Sequence, residues 1–243
     1  MPTTRLLIEY DGTDFSGWAA QTGLRTVQDE IETALATIAR TPRQLTVAGR
    51  TDAGVHARAQ VASYTGEPVD LYSLNALLPR DVAVLSCEQT VDGFDARQDA
   101  TSRTYCFRLF PRIERSPFER RFAWHFPYPL DRDLLDRCAA AIVGRHDFTA
   151  FTPADTYHRH FERTIYEAYW RDADDGTLEF WIRGQTFMRQ MVRVIVGNMI
   201  QVANDRREYA QFEALLAGAH RREGGPTAPP QGLHLMSVSY GLE

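Results

Sequence analysis

The residue best placed to do chemistry is an aspartate, Asp52, in the segment A-G-R-T-D-A-G-V-H at residues 48–56. Short apolar runs with alternating polarity lie on both sides, at 45–47 and 60–64, and predict a loop between two strands. A glycine on each side of the aspartate allows a sharp turn and the close approach of another molecule. Asp52 is therefore a candidate reactive carboxylate, although an aspartate that only bonds its own backbone in a turn has the same pattern.

A second charged residue, Arg193, lies within a strongly apolar segment that predicts a buried helix from 187 to about 202. A buried guanidinium needs an anion, because an unpaired charge would cost several kcal/mol. We hypothesise that its anion is Asp52, which the pairing would keep ionised, as a nucleophile or base requires. The alternatives are that Arg193 extends to the helix edge or pairs with another acid.

The elements that position these residues fall into two halves with the same order. The first half is predicted as a strand at 6–10, a helix starting at Thr26 and stopped by Pro42, strands at 45–47 and 60–64, a helix at 71–78 and a strand from 82. The second is predicted as a strand at 104–110, a helix capped by Asp131 and ending at Gly144, a hairpin of 164–170 and 178–182, a helix from 187 and a strand at 233–240. The sequence thus predicts an α+β fold of two similar β-α-β-β-α-β halves, with domains at 1–100 and 101–243.

Composition indicates an ordinary globular protein. The 243 residues are 44% hydrophobic and 24% charged, and no apolar run reaches the length of a membrane span. The start of the chain shows no signal peptide, and the three separated cysteines predict reduced thiols in a cytoplasmic protein. His158 and His160 flank Arg159 but nothing nearby completes a ligand set, so we expect no metal.

The net charge of −5 conceals a basic stretch. Residues 97–125 carry seven arginines against three acids, a local charge of +4. Four of these arginines lie in the proline-rich connection at 111–129 and are candidates for phosphate contacts: Arg112, Arg115, Arg120 and Arg121. A solvated surface with intrachain ion pairs would explain the same pattern.

Five motifs resemble those of the tRNA pseudouridine synthase A family. They are Y-D-G-T-D-F-S-G-W at 10–18, G-R-T-D-A-G-V-H at 49–56, A-T-S-R-T-Y at 100–105, M-V-R-V-I-V-G at 191–197 and T-A-P-P-Q-G-L at 227–233. The resemblance extends along nearly the whole chain. It departs at Ala19-Ala20, where the family has a polar and basic pair, and at Val194, where the family has a polar residue.

The resemblance implies a role for each matching residue. Asp52 would be catalytic and paired with Arg193, Tyr105 would stack on the target uracil, and Leu233 would pack beside it. On pattern alone, Tyr105 and Leu233 are each more typical of core residues than of a binding site. Arg50 would enter an RNA stem to hold phosphate or fill the space of an extruded base, although a surface ion pair would also suit it.

The resemblance also implies the architecture and the reaction. The two halves would form a continuous, mainly antiparallel sheet with helices on one side and a central RNA-binding cleft, in a homodimer. The enzyme would convert uridines of the tRNA anticodon arm (tRNA positions 38, 39 and 40) to pseudouridine without a cofactor. The alternatives are a non-catalytic tRNA-binding module of the same fold and a glycoside hydrolase, which usually needs two matched carboxyls.

Overall fold

The computed structural model describes residues 1–156 and 159–241. Its strands are β1 Thr3–Tyr10, β2 Thr46–Val47, β3 His56–Thr65, β4 Val82–Thr90, β5 Ser102–Phe110, β6 Trp124–His125, β7 Gly144–Asp147, β8 Glu162–Asp172, β9 Leu178–Gly184 and β10 Leu233–Ser239. Its α-helices are α1 Val27–Ala39, α2 Leu71–Leu77, α3 Arg132–Ala141, α4 Met191–Ala203 and α5 Tyr209–Ala214. The described helices include none that is long and apolar enough to cross a membrane.

The chain forms two compact units. The first contains Met1–Arg103 together with the C-terminal strand from His234 onward, and the second contains Thr104–Leu233. The domain division at residues 100 and 101 stays a prediction. The C-terminal strand belongs to the first compact unit although it ends the chain.

The first unit is built on a sheet of order β4-β1-β3-β10, with β2 also paired to β3. β1 is antiparallel to both β3 and β4, whereas β10 is parallel to β3. In the second unit the order is β5-β9-β8-β7, with β6 beside β5. The two units share one feature of strand order. In the first unit β3 pairs with β1 and β2, and in the second unit β9 pairs with β5 and β8. The predicted α+β class with a large, mainly antiparallel sheet is confirmed.

Helix α1 shows how local signals set an element's ends. The Thr26 hydroxyl accepts a hydrogen bond from the Asp29 backbone at 3.3 Å and donates to the Asp29 carboxylate at 2.6 Å, which caps the first turn. The helix ends at Ala39 because Arg40 adopts a left-handed conformation with φ 55°. The helix thus ends before Pro42 is reached, earlier than the sequence predicts.

The second unit differs from prediction mainly in its short elements. Asp131 caps α3 as predicted, but α3 ends at Ala141, and Gly144 with φ 109° opens the unpredicted strand β7. β6 and α5 are not predicted either, because two-residue and six-residue elements carry too little periodicity. β5 is buried on both faces, since Cys106 and Phe110 are buried as well as the alternating Tyr105.

Helix α4 begins at Met191 and not at residue 187. Gln190 is left-handed with φ 59°, which interrupts the helix before that point. Every residue of the helix is buried except Arg193 and Gln201, so the prediction of a helix buried on nearly all sides is confirmed. Arg193 itself is only half-buried, contrary to prediction, because it lies in the first turn near the helix end.

Candidate active site

The Asp52 loop, residues 48–55, joins β2 to β3, and a buried arginine anchors its first residue. Arg103 is 5% exposed and donates to the Ala48 carbonyl from Nη2 at 2.7 Å and from Nε at 3.2 Å. The same guanidinium donates to the carbonyls of Ala100 at 3.0 Å and Arg97 at 2.9 Å. Hydrogen bonds from a charged donor stabilise more than neutral ones, about 1.5–3 kcal/mol each. Arg103 therefore fixes the start of the loop to the segment at 97–100.

A buried polar network holds the middle of the loop. Gln60 donates from Nε2 to the Gly49 carbonyl at 2.7 Å and lies 3.4 Å from the Tyr10 hydroxyl. That hydroxyl is 2.7 Å from the Thr51 hydroxyl. Burial raises the pKa of Tyr10 to about 12, so the phenol stays neutral at physiological pH. The residues immediately before Asp52 are thus held from the protein interior.

The N-terminal motif at 10–18 packs directly against the loop. Gly17 has φ 98°, and a Cβ there would lie 2.9 Å from the Thr51 carbonyl oxygen and 3.3 Å from the Asp52 carbonyl carbon. A Cβ at Gly12 would lie only 2.0 Å from the Val55 carbonyl oxygen. Both positions need glycine because the loop backbone occupies the space of a side chain. The sequence identifies this motif by its resemblance to the family but does not predict its contact with the Asp52 loop.

Two buried histidines stack on each other beside the loop: His56, the first residue of β3, and His234 in β10. The Gly12 backbone donates to His56 Nδ1 at 3.0 Å, and an Asp11 carboxylate oxygen lies 3.2 Å from the same nitrogen. The His56 ring stacks on His234 with centroids 4.7 Å apart. His56 ends the family-like motif, but sequence reasoning assigns it no role. Its contacts link the N-terminal motif, β3 and β10 next to the loop.

Asp52 itself is half-buried at the surface of this framework. Its carbonyl accepts a hydrogen bond from Val55 at 3.2 Å in a tight turn that Gly54, with φ 77°, completes. Ala53 and Arg50 on either side are exposed. The result is a carboxylate on a rigid loop that a large substrate can reach. Such an arrangement suits a nucleophile or a base.

The second unit holds the other predicted site residues. Tyr105 is 8% exposed and packs edge-on against Phe187 with centroids 5.2 Å apart, and Leu233 is also buried. Arg193 donates from Nε to the Ala228 carbonyl at 2.8 Å, and the Ala228 backbone donates back to the Arg193 carbonyl at 3.0 Å. Arg193 is thus joined to the C-terminal motif. The roles of these residues toward a substrate stay predictions.

The basic stretch at residues 97–125 is only partly neutralised by acids of the protein. Arg108 pairs with Glu119 at 3.0 Å and with Asp175, so the ion-pair alternative holds for that arginine. Arg112, Arg115 and Arg120 are exposed and form no ion pair within the described part of the chain, whereas Arg121 is half-buried. The three exposed guanidinium groups carry their charge at the surface.

The cysteines and histidines do not suggest another reaction. Burial raises the pKa of Cys138 to about 12 and also raises the pKa of Cys106, which disfavours a reactive thiolate. Within residues 1–156 and 159–241, no group of three or more histidine, cysteine or acidic side chains could hold a metal ion. His158, one of the two histidines considered from sequence, lies outside the described residues.

The fold and the site define an α+β enzyme with a rigidly mounted, accessible carboxylate. Comparison with known proteins makes the class specific. A family model described as tRNA pseudouridine synthase matches residues 138–241. The chain is 38% identical to tRNA pseudouridine synthase A of Bacillus pumilus over 96% of this chain and 97% of that protein. It is 39% identical to tRNA pseudouridine synthase A of Lactococcus lactis subsp. cremoris over 99% and 98% of the two chains.

The chain belongs to the tRNA pseudouridine synthase A family. It is an isomerase that converts uridine in tRNA to pseudouridine.

Proposed function

We propose that this enzyme modifies uridines of the tRNA anticodon arm and that Asp52 is its essential catalytic group. The observation that carries the proposal is the half-buried Asp52 carboxylate on a loop locked by Arg103, Gln60 and Gly17. A preorganised carboxylate loses little entropy when the substrate arrives. The family motifs around it support the anticodon arm as the substrate.

The reaction is an isomerisation without a net change in atoms. The bond from C1′ to N1 of the uracil breaks, a bond from C1′ to C5 forms, C5 loses a proton and N1 gains one. An ionised Asp52 serves this sequence as a nucleophile or as a base on the sugar. The base must leave the helical stack, which costs a few kcal/mol. Exposed Arg50 supports that step, since it lies two residues from Asp52 and can fill the vacated space.

The other assignments follow the family motifs. We assign Tyr105 to stacking on the uracil and Leu233 to the pocket wall beside it. We also propose that the enzyme works as a homodimer in the cytoplasm and needs no cofactor.

The test of the function is direct. Unmodified tRNA transcripts are incubated with the purified protein, derivatised at pseudouridine and mapped by mass spectrometry. We expect the label in the anticodon arm and no label in a transcript whose anticodon-arm uridines are replaced by cytidine. Label confined to another arm would refute the proposed substrate site, and no label at all would favour the non-catalytic binding module.

If the exposed arginines of the proline-rich connection at 111–129 contact tRNA phosphates, the affinity for tRNA should depend on salt through them. Replacement of Arg112, Arg115 and Arg120 by alanine should lower the slope of log Kd against log salt by about 0.7–0.9 for each phosphate that is no longer neutralised. The measurement is a titration of labelled tRNA at several salt concentrations. The matched control replaces Arg137, Arg206 and Arg222, which are exposed in the same unit. Equal slopes in wild type and the first variant would place the RNA elsewhere.

The proposed pair of Asp52 and Arg193 can be tested by a double-mutant cycle. The bond to Ala228 uses one of five N–H donors of the guanidinium, so the group can hold an anion as well. Arg193→Met should destabilise the protein, and Asp52→Asn in the same chain should recover part of the loss. We expect a coupling of about 0.5–3 kcal/mol in thermal unfolding.

The control cycle combines Arg193→Met with Asp136→Asn, an exposed aspartate on α3. That pair should be additive. Additivity of the Asp52 cycle as well would show that the two residues do not interact.

A further inference from the structure

A polar cleft in the first unit extends beyond the site described above and shares only Arg50 with it. It has a volume of about 610 Å³ and lies beside β2 and the Asp52 loop. Three arginines line it, Arg43, Arg50 and Arg97, together with the amides Gln28 and Gln44. No aspartate or glutamate is among its lining residues in the described part of the chain. The cleft therefore concentrates positive charge on a protein whose net charge is negative.

The three guanidinium groups are not engaged by acids of the protein. The side chains of Arg50 and Arg97 are exposed and form no hydrogen bond or ion pair with the residues that the structure describes. Arg43 has one long bond, from Nη1 to the Thr65 carbonyl at 3.4 Å, and its buried Nε has no partner among the same residues. Unpaired arginines grouped in a cleft are typical of an anion site, because their mutual repulsion is relieved when the anion binds.

Arg43 packs against the backbone at residues 65 and 66. Its guanidinium lies against Gly66, where a Cβ would be 2.9 Å from Cζ. Gly66 has φ 136°, a conformation that favours glycine. Any larger residue would push the guanidinium away from this place. The cleft thus contains a half-buried cation as well as the two exposed arginines, Arg50 and Arg97.

Glu32 contacts two lining residues of the cleft and is hydrogen-bonded to both. Glu32 Oε1 accepts hydrogen bonds from Gln28 Nε2 and from the Leu45 backbone, both at 2.8 Å. These bonds hold two lining residues in place. They also direct the Glu32 oxygen toward the protein framework, so the arginines dominate the charge of the cleft.

The cleft is tied to the Asp52 loop. The Arg97 carbonyl and the Ala48 carbonyl accept hydrogen bonds from the same Arg103 guanidinium. Arg50 is two residues from Asp52, so their Cα atoms are at most about 7 Å apart. An anion bound by Arg50 and its neighbours would lie close to the proposed catalytic carboxylate.

We propose that this cleft binds phosphodiester groups of the tRNA strand that carries the target uridine. The inference rests on the proposed function and adds Arg43 and Arg97 to the RNA-binding residues. Arginine is suited to this task because its planar fork binds phosphate through two hydrogen bonds. Phosphates held here would place the strand beside Asp52, and the arginines that bind them would offset the repulsion between the carboxylate and the RNA backbone.

The experiment measures tRNA binding by the Arg43→Gln, Arg97→Gln double variant as a function of salt. Because two phosphates would no longer be neutralised, the log–log salt slope should fall by about 1.4–1.8, and binding at low salt should weaken at least tenfold. Arg97→Glu alone, at an exposed position, provides a second variant that should fold normally and should weaken binding still more than Arg97→Gln. Thermal unfolding and circular dichroism verify the fold of each protein.

The matched control is Arg5→Gln, Arg40→Gln, which removes the same charge from exposed arginines of the same unit outside the cleft. It should retain the wild-type slope. An unchanged slope in the cleft variants, or an equal fall in the control, would overturn the proposal. Failure of the cleft proposal would appear in the salt slopes of tRNA binding. Failure of the Asp52 assignment would appear in the pseudouridine assay, while the salt slopes of the cleft variants stayed as expected.

Discussion

Asp52→Asn should abolish pseudouridine formation, with a loss of about 10³-fold or more in the rate at saturating tRNA. The amide keeps the size and most hydrogen bonds of the carboxylate but cannot act as a nucleophile or base. Because the loop backbone is held by Arg103, Gln60 and Gly17, which the substitution leaves unchanged, the fold should survive. The measurement is a single-turnover assay of pseudouridine in tRNA.

The control for this experiment is Asp136→Asn, which removes the same charge from an exposed site on α3 and should leave the rate unchanged. The affinity of Asp52→Asn for tRNA should be equal to or greater than that of the wild type, since a negative charge near the RNA backbone is removed. A comparable rate of product formation by Asp52→Asn would show that another group is catalytic.

Arg103→Met should be the most destabilising of the single substitutions considered. Methionine approximates the volume of the arginine stem but leaves the buried carbonyls of Ala48 and Ala100 and the partly buried carbonyl of Arg97 without their donor. Each unsatisfied buried carbonyl costs about 1–3 kcal/mol, so the free energy of unfolding should fall by about 3–5 kcal/mol. Urea unfolding monitored by circular dichroism measures the decrease.

The Arg103→Met variant should also lose more activity than the decrease in its folded fraction explains. Ala48 opens the Asp52 loop, so the folded fraction of Arg103→Met should show a lower rate at saturating tRNA than the wild type. The comparison is Arg5→Met, at an exposed position on β1, which should change stability by no more than about 0.5 kcal/mol. A change of less than about 1 kcal/mol for Arg103→Met would mean that water replaces the missing donors.

The class of fold and the place of most regular elements could be predicted from the sequence. Local signals were sufficient there: Thr26 and Asp131 cap α1 and α3, and apolar alternation located β3 and the β8–β9 hairpin. The same patterns placed Asp52 on a loop between two strands. These features depend on neighbours within a few residues, so periodicity and capping chemistry can reveal them. The reaction was predicted from the family motifs, because hydrophobic periodicity carries no information about chemistry.

The contacts that hold the Asp52 loop could not be predicted from the sequence and are seen only in the folded protein. Arg103 reaches Ala48 across 55 positions of sequence, and Gly12 and Gly17 contact Val55 and Thr51. Such contacts depend on how strands pair, which local patterns do not specify. The structure also showed that Arg193 is half-buried, because a helix that is apolar overall still has an end where a long side chain reaches a backbone carbonyl. The grouping of Arg43, Arg50 and Arg97 arises in the same way, from chain segments that only the fold brings together.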